Sequence, residues 1–134
     1  MNRFYEAHRR DFDTALAEVN RGYKRSHWMW YIFPQLRGLG QSTLSWYYGI
    51  EDLQEATAYL KHPVLGRRLR EITQAALDLS ETDPVNVFGW PDNMKFRSCM
   101  TLFAQVSEDD LFVWVLDKFF NGQKDTGTLE LLKQ

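Results

Sequence analysis

Apolar residues recur at helical spacing along most of the chain. From Phe4 to Val19 they fall on one face of a helix, and the same period continues from Val64 to Leu79. No stretch shows the strict alternation of apolar and polar residues that is typical of a half-buried strand. The pattern predicts an all-α fold, a compact single-domain bundle over residues 1–134 with about six to eight helices, several of them short.

Residues with capping preferences predict where the helices begin and end. Gly22 ends the first helix, and the helix from Asp92 to about Val106 is expected to turn Met94 and Cys99 toward the core. Other predicted starts are Thr43, Asp52, His62-Pro63 with proline at the first helical position, Asp83-Pro84, Ser107 with Asp110 as a capping box, and Asp125 or Thr126.

The segment 24–35 does not fit a simple helix face. It places Lys24, His27 and Gln35 among several aromatic rings, and Pro34 predicts a short helical turn that runs into an ordered loop. A core needs apolar bulk, whereas a pocket for a planar polar ligand needs apolar walls and a few convergent polar groups. We refer to residues 24–35 as the aromatic segment and expect it to contribute to a binding site.

Charge is unevenly distributed, although the net charge is only −2. No acidic residue lies between Glu18 and Glu51, while the part after Ser107 is mainly acidic. A basic and aromatic region suits an anionic ligand that stacks, such as a nucleotide or an ADP-ribose derivative. The small net charge argues against general nucleic-acid binding, which usually requires a strongly basic domain.

Cysteine content and hydropathy bear on the compartment. Cys99 is the only cysteine, so no internal disulfide is expected, and this fits a reducing cytoplasm. No apolar run reaches the roughly 18 residues of a membrane span, and no signal peptide is recognisable. Histidines are scattered, and neither a P-loop nor a Rossmann fingerprint is present, so we expect no metal and no cofactor.

Three residues are candidates for catalysis, namely His27, Asp92 and Lys95. His27 suits acid–base chemistry near neutral pH, but a histidine bonded to backbone remains an equal alternative. Asp92, Lys95 and Ser98 recur every three residues on one helix face, which is also the pattern of a solvated surface pair. The candidate ligand-binding residues are Lys24, Trp28, Trp30, Gln35, Gly38, Gly40, Ser42, His62 and Ser98.

Several of these candidates have simpler explanations. Gly38-Leu39-Gly40 with Ser42 is either an anion-binding nest or a plain turn, and His62 before Pro63 is also explained by helix capping. Aromatic residues are most often core residues, so at least two rings of the aromatic segment are expected to pack inside.

One specific motif runs through Lys24, Ser26-His27-Trp28-Met29-Trp30, Phe33-Pro34-Gln35, Gly38-Leu39-Gly40 and Ser42. It resembles the signature of a bacterial family called domain of unknown function 1810, some of whose members carry the label calpastatin, a long disordered inhibitor unlike this compact chain. The family implies an all-helical fold and no assigned reaction. Gly89-Trp90-Pro91 departs from its pattern, so this end of the site is expected to differ in shape. The resemblance covers residues 24–42, Tyr48, Ile50, residues 59–69, Phe88-Gly89, Asp92, residues 95–103, Phe119-Phe120, Gly122 and Asp125.

One helix is expected to end in Ala58-Tyr59-Leu60, an Arg-rich helix follows it, and Lys95, Met100, Leu102-Phe103 and a late glycine come after. This order is similar to the NADAR group, helical proteins that cleave N-glycosidic bonds of ADP-ribosylated or ribosylated bases. This similarity implies that Asp92 or His27 assists the departing base while Lys24, Arg25 and Lys95 hold phosphates. The alternative is a non-catalytic protein-interaction domain, in which tryptophans form an exposed patch. That patch would consist of Trp28, Trp30 and Trp46.

Overall fold

Nine helices make up the computed structural model, which describes residues 1–134. Six of them have seven or more residues, and the predicted all-α fold is confirmed. The one strand-like pairing is an isolated parallel bridge between Leu36 and Ile50. The helices are α1 (Asn2–Asn20), α2 (Met29–Ile32), α3 (Thr43–Tyr47), α4 (Leu53–Lys61), α5 (Leu65–Leu77), α6 (Pro84–Phe88), α7 (Asp92–Ala104), α8 (Leu111–Phe120) and α9 (Thr126–Leu132).

One cluster of 30 buried apolar residues forms the core, and α7 runs through its middle. Helices α2, α4, α6, α8 and α9 all pack on α7, while α1 packs on α2 and α5. Phe96, Met100 and Phe103 of α7 are fully buried, and each such side chain contributes about 2 kcal/mol to stability. The first turn of α7 extends beyond this core, which is why Met94, predicted to face inward, is 44% exposed.

Three predicted N-caps are confirmed, and two predicted helix starts are wrong. Asp52, Asp83 and Asp125 accept hydrogen bonds from backbone N–H groups of α4, α6 and α9. Helix α5 begins at Leu65 rather than at Pro63, because His62 Nδ1 accepts hydrogen bonds from the N–H groups of Val64 and Leu65 at 3.1 Å and Pro63 lies in the turn before.

The predicted capping box at Ser107 does not form. Ser107 Oγ accepts a hydrogen bond from the Asp109 N–H at 3.2 Å, and Asp109 Oδ1 accepts one from Leu111 N–H at 3.1 Å. The carboxylate that accepts a backbone N–H at the start of α8 is therefore that of Asp109, and α8 begins at Leu111.

Gly66 allows α4 and α5 to approach closely. A Cβ atom at this position would lie 1.9 Å from the carbonyl oxygen of Leu60, a backbone atom that cannot move alone. We expect Gly66→Ala to lower the free energy of unfolding by about 2 kcal/mol, measured by urea denaturation. The neighbouring Arg67→Ala, at an exposed position of the same helix, is the control and should change it by less than about 0.5 kcal/mol. Equal stability of the two variants would contradict the close packing.

Candidate functional site

The aromatic segment divides between the core and the surface. Trp28, predicted to bind ligand, is 1% exposed, and its Nε1–H donates to Glu18 Oε1 at 2.9 Å. Its ring is therefore closed to any ligand, and this prediction is corrected: Trp28 is a core residue. Trp30 is the one residue of α2 that is not fully buried. It is half-buried and borders a small recess together with Phe33.

Glu18 of α1 holds the start of the aromatic segment in place. Its carboxylate accepts hydrogen bonds from the backbone N–H groups of Arg25 and Ser26, from Ser26 Oγ and from Trp28 Nε1. Burial alone would raise the pKa of Glu18, but these four donors outweigh it and lower the pKa to about 2. The carboxylate is thus a structural anchor that keeps the segment's backbone fixed.

Asp92 brings Lys24 and Lys95 together at the first turn of α7. Lys24 Nζ lies 2.9 Å from Asp92 Oδ2 and donates to the Ser26 carbonyl at 2.6 Å, and its side chain is only 8% exposed. Lys95 Nζ lies 3.6 Å from Asp92 Oδ1 and is 24% exposed. Lys24 is therefore fully engaged by the protein, whereas Lys95 makes only the looser ion pair.

Lys95 also borders open space. Its Nζ lies 4.9 Å from the centre of the Trp30 ring, and it lines a cleft of about 250 Å³ between α7, the loop before α3 and the start of α9. Through Gln35 and Lys95 this cleft adjoins the small recess beside Trp30. We call it the Lys95 cleft; it is lined by Gln35, Leu39, Gly40, Pro91, Met94, Lys95, Ser98, Asp125 and Gly127.

The glycine-rich turn contributes to the cleft by close packing. A Cβ on Gly40 would lie 2.4 Å from Ser45 Oγ and 3.4 Å from Gln35 Nε2, so this position tolerates no side chain without rearrangement. Gly38 has a φ of +105° and packs on Leu131, away from the cleft lining. Ser42 Oγ caps α3 by accepting from Ser45 N–H at 3.0 Å. Of these predicted residues, only Gly40 lines the cleft.

Two further side chains that line the cleft are Ser98 of α7 and Asp125, the residue before α9. Ser98 is buried, and its Oγ donates to the Met94 carbonyl at 3.1 Å. Asp125 was predicted only as a helix cap, and its place in the cleft was missed because no local pattern brings residue 125 next to residue 98. The one sequence signal at Asp125, apart from capping, was its place among the residues that carry the family resemblance.

The remaining predicted histidines lie outside the Lys95 cleft. His27 is exposed, and its carbonyl accepts a hydrogen bond from the Tyr31 hydroxyl at 3.2 Å. His62 Nδ1 is used in capping. The structure thus places Gln35, Gly40, Lys95 and Ser98 around the cleft, with Trp30 alongside and Asp92 joining Lys24 to Lys95. It leaves both of these histidines apart.

Other surface depressions have a different character. The one of about 410 Å³ between the loop at Leu36, the start of α4 and the end of α9 contains none of the predicted site residues.

None of the helices combines the length and hydropathy that a membrane span requires. No three side chains of His, Cys, Asp or Glu lie together as metal ligands would.

Comparison with known proteins shows the fold and the family of this chain. The conserved hypothetical protein Rv1873 from Mycobacterium tuberculosis is 42% identical, with a TM-score of 0.96, covering 99% of this chain and 96% of that one. No curated protein matches the chain. The similarity to the NADAR group is not shown by these matches. A family model described as "Protein of unknown function (DUF1810)" matches residues 1–132, and the chain belongs to that family.

Proposed function

We propose that the protein binds a small anionic ligand of the nucleotide class in the Lys95 cleft. The observation that carries the proposal is the state of Lys95: it lines both the cleft and the recess beside Trp30, yet its only ion-pair partner is 3.6 Å away and already engaged by Lys24. A partly exposed ammonium group in a cleft is a natural contact for a phosphate. Lys95 is therefore the anion contact of the proposed site.

The rest of the lining suits a ligand that is part apolar and part polar. Leu39, Pro91 and Met94 provide apolar walls, while Gln35 and Ser98 provide groups able to hydrogen bond. A cleft of about 250 Å³ lies just below the usual range of about 300–1,000 Å³ for ligand pockets, so the ligand it suits is no larger than a mononucleotide. An ADP-ribose derivative would extend beyond it into solvent.

Hydrolysis of an N-glycosidic bond is the catalytic form of this proposal. It requires a proton donor for the departing base. His27 lies outside the cleft, and Asp92 is held between two lysines, an arrangement that positions Lys95. We therefore propose ligand binding and assign hydrolysis to no residue. Release of free base from an N-ribosylated substrate, measured by chromatography, would add catalysis to the proposed function.

A second candidate function is protein interaction through α3. None of the residues of this helix is buried, and Leu44, Trp46 and Tyr47 are 46%, 62% and 52% exposed. The predicted patch of three tryptophans is not formed, since Trp28 is inside. An exposed apolar helix face is typical of a contact site, and α3 carries this alternative.

The test of the proposed site is ligand-induced stabilisation against heating. NAD, ADP-ribose, AMP, GMP and inorganic phosphate form the panel, and a ligand at about 100 times its dissociation constant should stabilise by roughly 2.7 kcal/mol, which raises Tm by several degrees. We expect Lys95→Ala to abolish most of this shift, because the phosphate loses its cation.

The matched control is Lys133→Ala. Lys133 also forms an ion pair with an acidic residue three positions earlier, at 3.6 Å from Glu130, but lies outside the Lys95 cleft. It should leave the shift unchanged. If no ligand of the panel raises Tm, the anion site is refuted and the contact function of α3 becomes the leading hypothesis.

A further inference from the structure

Asp125 has one carboxylate oxygen committed to the fold and one that is not. Oδ2 accepts hydrogen bonds from the N–H and the hydroxyl of Thr128, at 2.9 and 2.6 Å. Oδ1 accepts no hydrogen bond from the protein, and its nearest cation, Arg97, is 3.8 Å away. The side chain is 15% exposed and lines the Lys95 cleft. Oδ1 is therefore accessible from the cleft and free to accept a hydrogen bond from a ligand.

The chemistry of Oδ1 restricts that partner to a hydrogen-bond donor. An ionised carboxylate can only accept hydrogen bonds, so a phosphate is excluded next to Asp125. The partner is also expected to be uncharged, because the Arg97 cation already lies beside Asp125. Around the cleft, Lys24, Lys95 and Arg97 outnumber the carboxylates of Asp92 and Asp125, which disfavours another cation.

The two charged side chains in the lining of the cleft, Lys95 and Asp125, therefore have opposite preferences. Lys95 offers a positive charge, and Asp125 offers an acceptor for a neutral donor such as a hydroxyl group. Ser98 also lines the cleft. Its O–H group donates to the Met94 carbonyl, and its oxygen can still accept a hydrogen bond.

We infer that the Lys95 cleft recognises the sugar phosphate part of a nucleotide, with the phosphate at Lys95 and the sugar hydroxyls at Asp125. This inference rests on the proposed function and adds to it the chemical class of the ligand and a specificity-determining residue. Asp125 distinguishes a ribose with free hydroxyl groups from a sugar that lacks them. A hydrogen bond to a charged acceptor is strong enough for about tenfold discrimination.

The experiment compares AMP with 2′,3′-dideoxy-AMP by titration calorimetry on the full chain. The wild-type protein is expected to bind AMP about tenfold more tightly. Asp125→Asn should reduce this ratio to about threefold or less, since capping of α9 by the amide oxygen would turn the NH₂ group toward the cleft. Lys95→Ala should weaken both nucleotides by a similar factor and leave the ratio intact.

The control is Asp83→Asn, which changes another capping carboxylate, at the start of α6 and outside the cleft. It should keep the wild-type ratio, and urea denaturation of both asparagine variants establishes that they are folded. Equal affinity of the wild-type protein for the two nucleotides would overturn the inference and leave the anion site standing. If neither nucleotide binds, both this inference and the proposed anion site are overturned.

Discussion

Glu18→Ala is expected to lower the free energy of unfolding by about 4 kcal/mol, as measured by urea denaturation at pH 7. The carboxylate accepts four hydrogen bonds, and two of the donors, Ser26 Oγ and Trp28 Nε1, are side-chain groups near or inside the core. Alanine would leave all four donors without an acceptor. Each buried donor left in this way costs about 1–3 kcal/mol, so the loss is large even if water reaches some of them.

Two further variants separate the causes of this loss. Glu6→Ala removes an exposed glutamate from the same helix and should change stability by less than about 0.5 kcal/mol. Glu18→Gln keeps an acceptor oxygen but removes the charge, so it should cost less than alanine. If Glu18→Ala were as stable as Glu6→Ala, the anchoring role of Glu18 would be refuted.

The anchor also connects α1 to the candidate site. Glu18 fixes the backbone at Arg25 and Ser26, and the Ser26 carbonyl in turn accepts from Lys24, which pairs with Asp92. Asp92 is the residue that positions Lys95. A change at Glu18 is therefore expected to weaken ligand binding at the cleft as well as stability.

Much of the fold was predictable because helix periodicity and capping are local properties. The positions of Asp52, Asp83 and Asp125 as N-caps followed from residue preference alone, and the structure confirms them. The wrong starts at Pro63 and Ser107 arose where a neighbouring side chain, His62 or Asp109, takes the capping bonds instead. Such competition between adjacent polar residues is decided by geometry that the sequence does not display.

The candidate site was predicted less completely because it depends on contacts between distant segments. Lys95, Gln35 and Gly40 were identified from residue type, and the structure places them around one cleft. Trp28 was misjudged because its polar partner, Glu18, lies in another helix. An indole whose N–H meets a buried carboxylate can be fully buried, whereas spacing within one segment cannot show that the partner exists.

The second prediction with a large effect concerns His8, which had no distinguishing signal in the sequence. His8 is 2% exposed, and its Nε2 lies 2.8 Å from the Tyr31 carbonyl, which fixes Nε2 as the protonated nitrogen. The Tyr59 hydroxyl lies 3.2 Å from the same nitrogen, and Nδ1 is buried without a partner. The ring stacks on Phe12, which Arg68 also covers.

These surroundings disfavour the protonated imidazole. Burial lowers the pKa of His8 to about 4 from 6.5, and the positive charge of Arg68 adds to this, while the hydrogen bond to the Tyr31 carbonyl opposes it only in part. Between pH 6.5 and 4 the unfolded chain therefore binds a proton that the folded protein excludes. The stabilisation is complete above pH 6.5 and is lost as the pH falls toward 4.

The free energy of unfolding is accordingly expected to fall by about 2 kcal/mol between pH 7.5 and 5, and by about 3 kcal/mol once the pH reaches 4. Urea denaturation at closely spaced pH values measures this slope. This pH range lies above the one in which Glu18 loses its contribution to stability. The pKa of Glu18 is lowered from 4.5 to about 2, so its protonation destabilises the fold only in stronger acid.

Histidine variants assign the slope to one residue. His8→Gln removes the titrating ring but retains an N–H donor for the Tyr31 carbonyl, so stability should become nearly flat from pH 7.5 to 5, whatever its absolute value. His27→Gln changes an exposed histidine and should keep the wild-type slope. If His8→Gln retained that slope, the acid sensitivity would have to come from another group, and the buried, neutral His8 would be refuted as its source. A slope lost only in His8→Gln would show that burial keeps the His8 imidazole uncharged in the folded protein.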